Sequence, residues 1–193
     1  KYGFKVEFLR SLQEFVVNNA DTVITPSNYF RDLVKTWVKD KSKVVTVYNG
    51  IDLDIKNKIL NIKNTNQKSK IIISAGRLVP WKGFDVLIEI MKDLPEWKLV
   101  IIGDGPEREA LKLQVTNYKL QDQVELAGAI SRENVLEYLS GSEIFILNTS
   151  FESFSFQIVE AMSLGLPVIA TNIGNLSEII DSNIDGILVE VNN

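Results

Sequence analysis

Neither cysteine nor histidine occurs anywhere in the 193 residues. The first absence excludes a disulfide framework and any thiolate metal site. The second removes the commonest general base and the commonest metal ligand together. Long apolar runs are missing too, and none reaches the length a bilayer-spanning helix needs. Positive charge is in short supply. Lys and Arg number 21 against 25 Asp and Glu, a net charge of −4 with a pI near 5.0. A nucleic-acid binder needs a basic surface, so that class is set aside. The chain opens Lys1-Tyr2-Gly3 with neither Met nor a signal-peptide pattern, which reads as a fragment of a cytoplasmic protein. Asn148-Thr149-Ser150 and Asn175-Leu176-Ser177 match the N-glycosylation sequon. Both are read as chance matches, the first because it sits at a strand end inside the candidate site.

What is present describes an ordinary globular chain, with 45% hydrophobic and 24% charged residues. Its length suits one full domain plus a piece of another. Apolar residues at helical spacing (Phe4, Phe8, Leu12, Phe15, Val16) predict an amphipathic helix over Phe4 to Asn18. Thr22 to Thr25 reads as a short strand stopped by Pro26, and Ser27 as the cap of a helix reaching about Val38. Val44 to Val47 reads as a strand closed by the turn signal Asn49-Gly50. Residues 51–70 turn to Lys, Asn and Gln and read as a linker or surface excursion. From Ile71 the pattern becomes regular. Strands at Ile71–Ala75, Lys98–Ile102, Val124–Leu126, Ile144–Leu147, Val168–Ala170 and Ile187–Val189 alternate with helices. The helices are expected near Gly83–Lys92, Glu107–Thr116, Asn134–Leu139, Ser155–Leu164 and Leu176–Ile180. Strands apolar throughout fit a parallel sheet covered on both faces. The expected fold is therefore α/β, a doubly wound Rossmann-like parallel sheet, with ligands beyond the carboxyl ends of its strands.

The chemistry concentrates on loops after strands. Glu152-Ser153-Phe154-Ser155 precedes a helix that carries Glu160. Free N–H groups and the positive dipole end at such a helix start attract phosphate, and a carboxylate further along can accept from sugar hydroxyls. Anion site plus hydroxyl acceptor suggests a nucleotide-sugar. Spacing alone proves little, since Glu125 and Glu133 are separated by the same interval without a small-residue turn between them. Taken singly, Glu160 also reads as a solvated helix face and Glu152 as an acid that suits any helix N-terminus. Gly76-Arg77 and Lys82-Gly83 share a second loop. Glycine permits close approach there, Arg offers a planar fork and Lys a point charge, so the loop could neutralise a diphosphate without a metal. Gly103-Asp104-Gly105-Pro106 is no dinucleotide fingerprint, because Arg108 stands where a third glycine belongs. Asp52-Leu53-Asp54 has the form of a metal-binding pair but follows a turn rather than a buried strand, so the metal reading is not adopted.

In this order the motifs resemble retaining glycosyltransferases of family 4, which have the GT-B fold. The matching stretches are Gly76-Arg77-Leu78 with Lys82-Gly83, Gly103 to Pro106, and Glu152 through Glu160-Ala161-Met162. Ala20 to Ser27 and Asn49-Gly50-Ile51-Asp52 resemble the end of that family's N-terminal domain and its hinge. The resemblance implies three parts: residues 1–50 as the tail of the acceptor-side domain with its hinge, 51–70 as linker, and 71–193 as the donor-binding domain, truncated at its C-terminus. It implies that Gly76, Arg77 and Lys82 hold the donor diphosphate and that Glu160 binds the ribose hydroxyls. Glu152 with the backbone of Ser153, Phe154 and Ser155 would contact the donor sugar and distal phosphate. The backbone at Gly128, Ala129 and Ile130 would meet the nucleobase. Three positions depart from the family pattern: Ser155 stands at a usual Gly, Asn175 at the second Gly of a pair beginning at Gly174, and Thr149-Ser150 where Pro-Ser is common. These departures bear on which sugar is taken.

The resulting expectation is the donor-binding part of an enzyme that moves a sugar from a nucleotide-diphospho-sugar to an acceptor hydroxyl. Configuration would be retained, with no metal and no cofactor beyond the co-substrate. Glu152, Arg77 and Lys82 are the expected catalytic residues. The acceptor would be a carbohydrate or a lipid-linked group, and the missing domain would make any peripheral contact at the inner face of a membrane. Two other readings stay open. One is a nucleotide-sugar epimerase or phosphorylase on the same fold; the other is a non-catalytic nucleotide-binding module.

Overall fold

The computed structural model describes residues 3–51 and 70–191, which belong to two units divided after Gly50. In the first unit, helix α1 (Phe4–Asn19) runs almost as its periodicity predicts. Its apolar face, however, is not packed within the unit. None of its residues is buried, and Phe4, Phe8 and Phe15 are all exposed. The helix is held at its C-terminal end instead. The Asn18 amide donates to the Trp37 carbonyl at 2.9 Å, and Lys43 Nζ donates to the carbonyls of Asn18 and Ala20 at 2.7 and 2.9 Å. A cation there also suits the negative end of the helix dipole.

Strands β1 (Val23–Thr25) and β2 (Val44–Thr46) pair in parallel, Val23 opposite Val44. Between them Ser27 caps α2 (Asn28–Val34), its hydroxyl accepting from Phe30 N at 3.2 Å. Helix α2 stops at Val34, short of the expected Val38. Thr36 and Trp37 form tighter turns back to Leu33 and Val34, and both Val34 and Val38 enter the small core around Val44.

The second unit is one sheet of six parallel strands in the order β5-β4-β3-β6-β7-β8. The strands are β3 (Ile71–Ala75), β4 (Lys98–Ile102), β5 (Val124–Gly128), β6 (Ile144–Leu147), β7 (Val168–Thr171) and β8 (Ile187–Val189). Successive side chains of a strand point to opposite faces, and here both faces are covered. Ile72, Leu99 and Ile101 enter one core with α3 (Phe84–Ile90) and α4 (Arg108–Asn117), through Phe84, Leu87, Ile88, Leu111 and Val115. Ile73, Val100 and Ile102 enter the other with α5 (Arg132–Ser140) and α6 (Phe156–Ser163), through Leu136, Leu139, Ile158 and Ala161. Burying each such side chain stabilises the fold by about 1.5–3 kcal/mol. Two buried faces explain why these strands read as continuous apolar runs.

The expected helix at Leu176–Ile180 is only a single 3-10 turn, Leu176–Glu178. Leu176 and Ile180 are nonetheless buried against the sheet. The expected linker and Asp52-Leu53-Asp54 lie outside the described residues, apart from Ile51 and Lys70.

Candidate functional site

The chain turns from β3 toward β4 on one side of the sheet and, later, from β3's other neighbour β6 toward β8. This makes the β3–β6 pair the switch point, where a crevice opens at the strand ends. The loops after β3 and β6 carry Arg77, Lys82 and Glu152. Loop 76–83 is pinned from below. Leu78 is fully buried; its N–H donates to the Asp104 carbonyl at 3.0 Å, and its own carbonyl accepts from Glu107 N at 3.1 Å. Fixed between Gly76 and this anchor, Arg77 is exposed.

The loop after β6 is laced to the same segment. Ser150 N donates to the Trp81 carbonyl at 2.8 Å, the buried Thr149 hydroxyl lies 3.1 Å from that carbonyl, and the Asn148 amide donates to Gly83 O at 3.1 Å. This lacing joins Lys82 to Glu152, Nζ to Oε2 at 2.6 Å, with both side chains little exposed at 12% and 13%. The other carboxylate oxygen, Oε1, accepts from Ser153 N at 2.9 Å. Lys82, expected to hold the diphosphate, is thus also an ion-pair partner of Glu152. Its methylene stem passes Gly76, where an added Cβ would stand 3.7 Å from Lys82 Cε. The pair thus borders the loop end where Arg77 begins.

Gly103-Asp104-Gly105 has a structural role. Gly103 lies at φ +140°, and a Cβ on it would stand 1.8 Å from the Gly76 carbonyl oxygen. A Cβ on Gly105 would meet the Leu78 carbonyl at 2.3 Å. These glycines let the β4 loop close against the β3 loop and support Arg77 from beneath.

A cleft of about 450 Å³ opens over the strand ends, lined by Gly76, Arg77, Asp104, Ala129, Ile130, Arg132, Phe156, Gln157 and Glu160 among others. It gathers the expected residues from the β3 loop, the β5 loop and α6 into one concavity. Lys82, Gly128, Glu152, Ser153, Phe154 and Ser155 do not line it. Gly128 sits beneath, its carbonyl accepting from Gly103 N at 2.9 Å. Ser155 is fully buried and is the N-cap of α6, its hydroxyl accepting from Ile158 N at 3.3 Å. Its side chain thus satisfies one of the helix's own N–H groups. Phe154 packs edge-to-face on Phe156, ring centroids 5.3 Å apart. Asn175 is buried, and its amide nitrogen has no hydrogen-bond partner among the described residues.

Glu160 is not a solvated helix residue. It is 6% exposed; its Oε1 accepts from Arg132 Nε at 3.0 Å and forms an ion pair with Nη2 at 2.9 Å. Sequence reading missed Arg132 because it begins the helix at Asn134, leaving this residue in a loop. A signal was present, however. Arg132 is the first residue of α5, behind the Ser131 cap, where the dipole favours acids over cations. Among the described residues no cluster of three or more Asp and Glu is placed to hold a metal ion, and no helix is long and apolar enough to cross a membrane.

Comparison with known proteins bears on this geometry. The description of the family glycosyl transferases group 1 matches residues 55–193, and that of glycosyltransferase family 4 matches residues 3–55. An uncharacterized glycosyltransferase of Haemophilus influenzae is 31% identical over 195 residues, covering 96% of this chain and 52% of that protein. The N-acetyl-alpha-D-glucosaminyl L-malate synthase of Bacillus anthracis is also 31% identical, over 95% of this chain and 50% of that protein. The chain spans about half the length of the curated relatives it matches. Among solved structures, sucrose-phosphate synthase from Thermosynechococcus elongatus superposes with a TM-score of 0.84 at 25% identity, over 97% of this chain and 49% of that one. Anabaena HepE in complex with UDP-glucose gives 0.82 at 21% identity, over 95% and 54%. Parallel six-stranded sheet, strand-end cleft and family match agree: the chain belongs to the glycosyl transferases group 1 family and has the α/β fold of GT-B glycosyltransferases.

Proposed function

We propose that the protein carrying this chain transfers a sugar from a nucleotide-diphospho-sugar to an acceptor hydroxyl, with retention and without a metal, and that this chain supplies the donor site. The observation that carries the reading is the cleft itself, with Arg77 on the β3 loop and Glu160 on α6 lining one concavity at the carboxyl ends of the strands. Arg77 offers its guanidinium fork to the diphosphate. Glu160 offers a carboxylate to the ribose, and the backbone around Ala129 and Ile130 lines the base end. Lys82 has three N–H donors, so it can keep Glu152 and still reach a phosphate oxygen. As the sugar–phosphate bond breaks, charge grows on the departing diphosphate. Fixed cations and the N-terminus of α6 stabilise that charge without reorganising, which is the source of the rate enhancement. Glu152, at the edge of the same loops, faces the sugar. The HepE complex makes UDP-sugars the first donors to try.

The two glutamates separate binding from turnover. Glu160→Ala is expected to weaken binding of the bare nucleoside diphosphate by about tenfold to a hundredfold, the effect of roughly 1.5–3 kcal/mol from charge-assisted bonds. Glu152→Ala is expected to leave that affinity nearly intact and to lower turnover of the sugar donor, as for a contact with the reacting group. Calorimetry with the nucleoside diphosphate and steady-state kinetics on the complete protein measure both. Equal effects of the two substitutions on nucleotide affinity would show the roles to be wrongly assigned.

A further inference from the structure

Glu160 sits on the cleft wall with its side chain 8% exposed, and a carboxylate this withdrawn from water requires a cation or strong donors. Only Arg132 meets that need among the described residues, and it does so asymmetrically. Nε donates to Oε1 at 3.0 Å, and Nη2 stands 2.9 Å from the same oxygen in an ion pair. No described residue donates to Oε2. Arg132 itself lines the cleft and is 55% exposed, carried on the first residue of α5, so it reaches Glu160 from a different element. The bond therefore spans the cleft wall between two helices and does not serve to close either one.

From this asymmetry we infer that Arg132 is a positioning residue for the nucleotide's ribose. It occupies Oε1 and leaves Oε2 as the oxygen that accepts from a ribose hydroxyl. A guanidinium suits this task because it stays charged and its Nε–H holds one carboxylate oxygen while the other stays open. The inference rests on the proposed nucleotide site. Its competing outcome is that Arg132 leaves Glu160 and touches the phosphates or the base directly.

The two outcomes differ in how the protein discriminates ribose from deoxyribose. UDP, GDP and ADP are titrated calorimetrically into the complete protein, and the tightest is compared with its 2′-deoxy and 3′-deoxy forms. Glu160→Ala is expected to collapse the ribo-to-deoxy preference by about tenfold, with Glu160→Gln as the volume-preserving substitute if the alanine variant fails to fold. Arg132→Ala is expected to lower the same preference by a similar factor while changing deoxynucleotide affinity less than about twofold. Added to Glu160→Ala, it is expected to produce no further loss of preference. Equal weakening of ribo and deoxy forms by Arg132→Ala would overturn the inference in favour of direct contact. An unchanged preference would overturn it outright. If Glu160→Ala leaves the preference unchanged, or no nucleotide binds, the underlying nucleotide site falls as well; if only Arg132→Ala is silent, the inference alone falls.

Discussion

Lys82 and Glu152 stand 70 positions apart in the chain and 2.6 Å apart in space. That proximity changes what substitution of Lys82 should do. A surface cation can be removed with little effect on the fold, and Arg77, exposed in its loop, remains such a residue. Removing Lys82 strands a carboxylate that is only 13% exposed, and a charged group left without its partner costs about 1–3 kcal/mol or more. Arg77→Ala and Lys82→Ala are each expected to lower sugar transfer by about a hundredfold or more, the scale of one lost transition-state donor. Denaturant unfolding should separate them, with a loss of stability in Lys82→Ala and none in Arg77→Ala. Near-normal turnover in the double variant would remove both from the diphosphate site. Ser155 makes the same point about neighbours. Its hydroxyl is spent on the N-cap of α6 and is wholly buried, so the departure from the family's usual glycine is accounted for by capping.

Among the elements, the β3 and β4 loops act as one piece. Gly76 N donates to the Ile102 carbonyl at 2.9 Å, Gly103 N donates to Gly128 O, and the Gly103 Cα approaches the Gly76 carbonyl too closely for any side chain. A methyl at Gly103 has to displace backbone, in a conformation that L residues rarely adopt. Gly103→Ala is therefore expected to cost at least about 2 kcal/mol, combining overpacking with backbone strain, and to weaken donor binding by shifting the loop that bears Arg77. Gly165→Ala is the control. Its φ of +72° is also positive, but a Cβ there meets nothing within 4 Å, so it should show only the conformational cost of about 1–2 kcal/mol. Thermal unfolding of both variants checks the difference. Equal losses would mean that the interlock contributes nothing. Helix α1 illustrates the opposite case, an element whose pattern is plain and whose packing is not. Its heptad-like apolar residues form the helix they predict, while the described unit leaves that face open.

For the molecule as a whole, charge bears on whether a metal is needed. A diphosphate brought to a chain of net charge −4 must find its counter-charge locally, and Arg77 lines the cleft while the Lys82 ammonium stands beside it. Sugar transfer is expected to persist in excess chelator. Loss of activity on chelation, restored by Mg²⁺ or Mn²⁺, would return Asp52 and Asp54 to consideration as metal ligands. Much of this molecule was legible in the linear text. Alternation of continuously apolar strands with amphipathic helices determines a parallel, doubly covered sheet, because such strands have two apolar faces to bury and each helix has one to cover them. The loop positions of Arg77 and Glu152 and the helical position of Glu160 follow from that alternation. Lys82 reaching Glu152 and Arg132 holding Glu160 do not follow from it. Both contacts join loops or helices brought together only when strands β3 to β6 take their places in the sheet. Whether a charge meets water or an opposite charge depends on those long-range neighbours, which only tertiary folding supplies.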